Sequence, residues 1–352
     1  MVLETLCAQG QYQRAIEVGE SMLEPGGQPD SLGRVRYYLA VAYLERGHKA
    51  RAGELLGEAM ALFQAAGDQP MAVECAASQA ALANMNEDPQ ALDIVRRALD
   101  DCRRLEPMPK ALEVRILNYL ASAHLSRREW QSAAEACEEA ISKSQPVFDM
   151  RRLAKLYNDS SIAYRKLGQL EAAARQATRA LTLFEALRDG VALARLENNL
   201  GLVLIDFGDV AAAQSHLERS LQLCEDNGLE AGRCHVLMSL CQLNVVKGDL
   251  RQARKHAEQA LEFAERMGER ASAAEAHIWL GKIAEALTEP QVADAEFDSA
   301  ISELSRLGLR EPLVRCHEVY AEILEKRGDL TAAYKQLKDM LSLMSRGAPQ
   351  AK

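Results

Sequence analysis

Residues 253–260 read ARKHAEQA: an alanine, three variable residues, a small or apolar one, two more, and an alanine or serine. The same outline opens at Ala173 (AARQATRA), Ala213 (AQSHLERS) and Ala293 (ADAEFDSA), each copy 40 residues from the next. A fifth copy, AYKQLKDM, starts at Ala333 and ends in Met340 instead of a small residue, and looser copies start at Ala52, Ala91 and Ala133. Steps of four and three residues return side chains to one face of a helix. Each copy therefore predicts a helix with a narrow face of small residues. A fixed period of this length predicts a chain of stacked repeats in place of one globular core.

Five residues before the aligned alanine stand Gly47, Gly168, Gly208, Gly248 and Gly328, and half a period away stand Gly228, Gly268 and Gly308. Glycine ends a helix in the left-handed conformation without a side-chain clash, so each period has a stop at its middle and another at its end. That divides it into two helices of roughly four turns joined by short turns. The first helix carries a small residue in register: Ala40, Ala121, Ser161, Gly201, Cys241, Gly281 and Ala321. A large one commonly precedes it, as in Leu39, Leu120, Leu200, Leu240, Leu280 and Tyr320. The small side chains predict close helix approach and the large ones fill the space between hairpins. Neither helix buries its apolar face alone, so stacking is obligatory. The stretch GQYQRAIEVGESML from Gly10 reads as a second helix whose first helix is mostly missing. The expected division is a partial repeat and loop over 1–28, the stacked repeats over 29–344 and a flexible tail over 345–352.

The composition excludes several functions. Of 352 residues, 48% are hydrophobic and 26% charged with a formal net charge of −9, and the basic residues are dispersed, which argues against direct nucleic-acid contact. No apolar run has transmembrane length, and MVLETLCAQG lacks the basic start and apolar stretch of a secretion signal. A cytoplasmic protein without membrane association is expected. The eight cysteines show no C-x-x-C pair and read as small core or surface residues. Phosphate-loop, dinucleotide, zinc-protease and nucleophile-elbow strings are absent, and His216, His256, His277 and His317 recur by repeat geometry without metal-ligand spacing. Trp130 and Trp279 are expected between hairpins. No catalytic residue, metal or cofactor is expected.

The pairs Leu200-Gly201 and Leu280-Gly281, Tyr43 and Tyr164 at the tyrosine position, and Phe297 at the phenylalanine position together resemble the tetratricopeptide-repeat motif. The likeness runs from about residue 2 to 344. It implies an all-α fold: a right-handed α-solenoid, or superhelix, of stacked antiparallel helix hairpins, about eight full repeats plus one partial. The chain departs from the motif in its 40-residue period, against about 34 in the family, and in lacking the terminal proline. HEAT and armadillo repeats share the longer period but lack the small-residue signature in both helices. The segment SELSRLGLREPLVRCHEVYAEILEKRGDLTAAYKQLKDML (302–341) is similar to the sensory region of bacterial signalling and transcription regulators.

In the family resembled, first helices line the concave groove. With Leu39 as position 7, positions 2, 5, 9 and 12 share one stripe. Position 2 is Arg115, Lys155 and Arg195 in three consecutive hairpins, and position 5 is Asn118, Asn158 and Asn198. His235 and Met238 take these positions next, then Glu275 and Ile278, then Arg315 and Glu318. An asparagine amide matches the donor and acceptor of a peptide unit, and the basic groups favour carboxylates. The bland reading pairs the asparagines with a neighbouring hairpin and the basic groups with glutamates. Glu318, Glu322 and Glu325 predict an acidic carboxyl-terminal end, suited to a solubilising cap.

The expected function is a non-enzymatic module capturing an extended, acidic peptide or partner segment, as the sensory or regulatory part of a larger bacterial signalling or transcription-regulating protein. The alternative is a structural scaffold, or a self-association module forming a homodimer through a terminal repeat.

Overall fold

The computed structural model describes residues 2–8, 11–23, 29–86, 88–144 and 149–345. The loop expected before residue 29 and, apart from Ser345, the expected tail lie outside these residues. The described residues form eighteen α-helices: α1 (Val2–Ala8), α2 (Tyr12–Met22), α3 (Pro29–Glu45), α4 (Lys49–Ala66), α5 (Gln69–Met85), α6 (Ala91–Arg103), α7 (Lys110–Ser126), α8 (Trp130–Ser144), α9 (Met150–Lys166), α10 (Leu170–Leu187), α11 (Gly190–Phe207), α12 (Val210–Asp226), α13 (Glu230–Lys247), α14 (Leu250–Met267), α15 (Arg270–Ala286), α16 (Pro290–Leu307), α17 (Arg310–Arg327) and α18 (Leu330–Ser345). Odd-numbered helices from α3 onward are first helices and even-numbered ones second helices; α1, of seven residues, precedes α2. The chain divides into two compact units, residues 1–183 and 184–352, the division falling inside α10.

The turns keep their register even where glycine does not. Gly168, Gly208, Gly248 and Gly328 all have positive φ, and at the equivalent places 128 and 288 so do Arg128 (φ 57°) and Thr288 (φ 61°). In the other series Arg188 (φ 50°) stands in line with Gly228, Gly268 and Gly308. The bonds are the same either way. Gly208 N–H donates to Ile205 O and Asp209 N–H to Leu204 O, as Thr288 N–H donates to Glu285 O and Glu289 N–H to Ala284 O. Aspartate commonly follows the turn and caps the next helix. Asp189, Asp209, Asp249 and Asp329 each accept from the backbone N–H three residues on, at 3.0–3.1 Å.

Within each unit the small residues hold their helices close. In residues 1–183, Ala40, Ala121 and Ser161 are fully buried, and Ser161 Oγ donates to Ala173 O of α10 at 2.8 Å. In residues 184–352, a Cβ on Gly201 would lie 2.6 Å from the Leu217 side chain, and one on Gly281 would lie 2.8 Å from the Phe297 ring. Phe297 in turn stacks on Tyr320 of α17 with ring centroids 4.7 Å apart. The motif tyrosines tie hairpins to the helix before them: Tyr43 Oη donates to Glu20 of α2 at 2.9 Å, and Tyr164 Oη to Glu138 of α8. Trp279 packs against two clusters of buried apolar residues, as expected of an aromatic between hairpins.

Thr288→Gly and Arg128→Gly are each expected to stabilise the chain by about 1 kcal/mol, because a side chain in the left-handed region costs more than glycine's extra entropy. Gly201→Val is expected to destabilise it by about 1–3 kcal/mol through overpacking against Leu217. Urea midpoints of the three variants check both signs.

Candidate functional site

In residues 1–183 the first-helix face is carried by α3, α5, α7 and α9. Arg115 on α7 is half-buried and paired with Glu74 of α5, and that carboxylate also accepts from Tyr37 Oη of α3 at 2.9 Å. Three consecutive first helices are thereby linked through one carboxylate, which commits the Arg115 guanidinium. Asn118 is 4% exposed, and its Oδ1 is enclosed without a hydrogen-bond partner. Such an orphaned acceptor costs about 1–3 kcal/mol. Lys155 on α9 is exposed one turn before Asp159, and Asn158 is half-buried with Nδ2 3.3 Å from Asp159 Oδ1.

Asp159 itself is buried. Burial pushes its carboxyl above the usual carboxylate range, and the Lys155 charge and the Asn158 hydrogen bond offset this only in part. Glu113 on α7 has the opposite fate in a similar setting. Burial raises it, but hydrogen bonds from Lys143 (2.6 Å) and Arg103 (2.9 Å) more than reverse the effect and leave it below the usual value.

In residues 184–352, consecutive positions on a first helix face opposite ways. Glu197 is fully buried and turns to α12, with His216 Nδ1 2.6 Å and Arg219 Nη1 3.0 Å away. Asn198, the next residue, faces the first-helix side half-buried, with its Oδ1 enclosed and unpartnered. His277 and Glu296, and His317 and Gln336, repeat the clasp between α15 and α16 and between α17 and α18, each at 2.6 Å. Arg195, His235, Glu275 and Arg315 are all exposed at position 2. Met238 is 6% exposed and belongs to a buried cluster with Cys234, Leu237 and Ala273. Glu318, Glu322 and Glu325 are exposed on α17.

Of the eight residues singled out by spacing, Lys155, Arg195 and His235 thus stand open, Asn158 and Asn198 stand half-open, and Asn118 and Met238 are enclosed. Arg115 is engaged by Glu74. The helix-to-helix clasps were not anticipated, although their signal is present: the partners lie 19 residues apart in all three. Also unanticipated is a cavity of about 420 Å³ in residues 1–183, bounded by Asn84, Asp88, Leu92, Ser126 and Arg127. Among the described residues no group of three His, Cys, Asp or Glu side chains is arranged to hold a metal ion. No described helix is long and apolar enough to cross a membrane.

A tetratricopeptide-repeat family model matches residues 192–266, which span α11 to α14. Residues 192–266 carry tetratricopeptide repeats. No curated protein matches it in sequence. Solved structures share the fold at low identity. The apo form of the quorum sensor NprR from B. thuringiensis superposes with a TM-score of 0.74 at 14% identity, covering 96% of this chain and 94% of that one. The Rap conjugation gene regulator of the plasmid pLS20, in complex with the Phr* peptide, gives 0.54 at 13%, covering 78% and 95%. Aspartyl phosphate phosphatase F from Bacillus subtilis gives 0.60 at 13%, covering 77% and 70%. A sensor, a peptide-bound regulator and a phosphatase therefore share these tetratricopeptide-type hairpins, so the fold by itself does not choose among their activities.

The two buried carboxylates predict opposite pH behaviour. For Asp159 the folded pKa exceeds the unfolded one, so its contribution is fully present below about pH 3.9 and is lost as pH rises through the folded value. Asp159→Asn is expected to be more stable than the parent at pH 7, with the difference shrinking toward pH 4. For Glu113 the folded pKa is depressed, so its contribution is present above about pH 4.3 and lost as pH falls through the folded value. Glu113→Gln is expected to cost about 1–2 kcal/mol at pH 7, the partners being half-solvated. Urea unfolding across pH 3–8 reads both.

Proposed function

We propose that this chain is a non-enzymatic peptide-binding module whose first-helix faces take up an extended peptide or partner segment. The observation that carries this reading is the exposed polarity at positions 2 and 5. Lys155 and Arg195 are exposed on their first helices, and Asn158 and Asn198 stand half-open one turn on. A peptide unit offers an amide both a donor and an acceptor, and carboxylates pair with exposed cations. Arg115, already held by Glu74, acts in this reading as the rigid wall of the site and not as a ligand contact. The pLS20 conjugation gene regulator, seen with its peptide, and the quorum sensor NprR have this fold, which supports a sensory or regulatory part in bacterial signalling or transcription control. The phosphatase shares the fold only.

A second reading, self-association, is favoured by α18. Leu330, Tyr334, Leu337, Leu341 and Met344 are 41–70% exposed and follow one another at steps of four and three residues. That is the seam by which a helix receives another helix.

Retention of peptides from a random heptapeptide library separates the two. The wild-type chain is expected to retain a defined subset, and Asn118→Ala/Asn158→Ala/Asn198→Ala to lose about 1 kcal/mol of affinity per amide while remaining folded. No retention, together with a dimer that Leu337→Glu/Leu341→Glu dissociates in sedimentation, would replace the peptide reading by the scaffold.

A further inference from the structure

The hairpin of α5 and α6 departs from the regular ones. α5 ends at Met85 and α6 begins at Ala91, whereas Gly208 and Asp209 alone separate α11 from α12. α6 has 13 residues against 17 in α12. The cavity of about 420 Å³ lies at this hairpin, lined by the turn that leads into α6 and by the end of α7. Its volume falls in the lower part of the range of small-ligand sites, about 300–1,000 Å³.

The lining sorts by chemistry. Ala91, Leu92 and Ala123 are buried and give it an apolar floor. Ser126 Oγ donates its proton to Ser122 O at 3.1 Å, so toward a ligand it acts as an acceptor. Asp88 Oδ1 accepts from Gln90 N–H at 2.8 Å, which orients the carboxylate and leaves its second oxygen as a further acceptor. Arg127 is the donor. Its Nε donates to Glu129 Oε1 at 2.9 Å, and Nδ1 of buried His124 lies 2.6 Å from Glu129 Oε2. The bond from Arg127, opposed by burial and helped by His124, holds the Glu129 carboxyl below the usual range. His124 thus steadies Glu129 and Glu129 steadies the guanidinium, whose terminal nitrogens carry further donors in a planar fork. Asn84 Nδ2 donates to Tyr119 O at 2.7 Å and ties α5 to α7 at the wall of the cavity.

Two acceptors, one of them anionic, a planar cation and an apolar floor match a molecule that carries an ammonium, a carboxylate and an apolar group close together. A simple acid would meet the charges of Asp88 and Glu129, and a simple amine would leave Arg127 unused. We propose that the cavity binds a free α-amino acid with an apolar side chain. Its ammonium lies at Asp88 and Ser126, its carboxylate at Arg127 and its side chain on Ala91, Leu92 and Ala123. The site stands at helix ends and not at positions 2 and 5 of the first helices, so it does not depend on the peptide reading. A molecule held by Asp88 and Arg127 bridges the α5–α6 and α7–α8 hairpins, and its binding braces them against each other.

Isothermal titration of the whole chain with L-leucine and L-phenylalanine tests this. At least one is expected to bind with a Kd of about 1 mM or below and to raise the melting temperature. The amide of the amino acid that binds, which keeps the ammonium and stands for a peptide's amino terminus, is expected to bind about tenfold more weakly. So is the deamino acid, which keeps the carboxylate alone. Asp88→Asn and Arg127→Gln change exposed side chains and are each expected to weaken the amino acid about tenfold with the fold intact, while Asp93→Asn, exposed on α6, leaves it unchanged. Binding of neither amino acid, equal binding of the deamino acid, or unchanged affinity in either variant overturns the proposal. Equal binding of the amide overturns it in favour of a peptide's amino terminus.

Discussion

A helix of 17 or 18 residues in this chain cannot cover its own apolar surface, and every other feature follows from that. The second helix of a hairpin covers one face of the first and the next hairpin covers another. Such covering on two sides needs backbones to come within reach of each other, which is why Gly201 and Gly281 face Leu217 and Phe297 with no room for a Cβ. It also needs the chain to reverse at the same place in every period. The left-handed turn residue meets that need so strictly that Arg128, Arg188 and Thr288 adopt the conformation where glycine is missing. Register thus outranks local preference at these three places, and the packing of whole hairpins offsets the local cost.

The helical hairpins, their period and their turns were legible because repetition averages out local noise. One ambiguous stretch, such as ALDIVRRA from Ala91, acquires meaning from clearer copies at Ala213 and Ala253. The turn at Thr288 shows the limit of reading residue by residue, since nothing in threonine announces a positive φ; only its distance from Gly248 and Gly328 does. The stripe was legible as a set of positions but not as a set of environments. Arg115 and Arg195 are identical in type and register, yet one meets Glu74 and the other meets solvent. Asn118 and Asn158 differ likewise in burial. Side-chain partners depend on what the adjacent hairpin presents, and the repeats diverge most at those positions.

Polar groups inside the hairpins sort by whether their partners belong to the chain. His277 with Glu296, and Glu113 with Lys143 and Arg103, are complete within it, whereas Glu197, bonded by His216, makes only an ion-pair contact with Arg219 at its buried Oε1. Exchange of histidine and carboxylate between the two helices, from Glu197 with His216 to His277 with Glu296, indicates that the pair is what packing requires, whichever helix supplies which member. Such pairs specify how a second helix docks on its first.

The amide oxygens of Asn118 and Asn198 are incomplete by the same standard. Apolar replacements at these positions would lower the cost of folding, because an orphaned acceptor is a penalty that a methyl or a leucine avoids. The repeats show that the replacement is structurally acceptable: the position of Asn198 is Met238 one period later and Ile278 after that. Stacking therefore does not demand polarity there. What an asparagine adds at a place where methionine packs equally well is a polar group that the stacking of hairpins does not require.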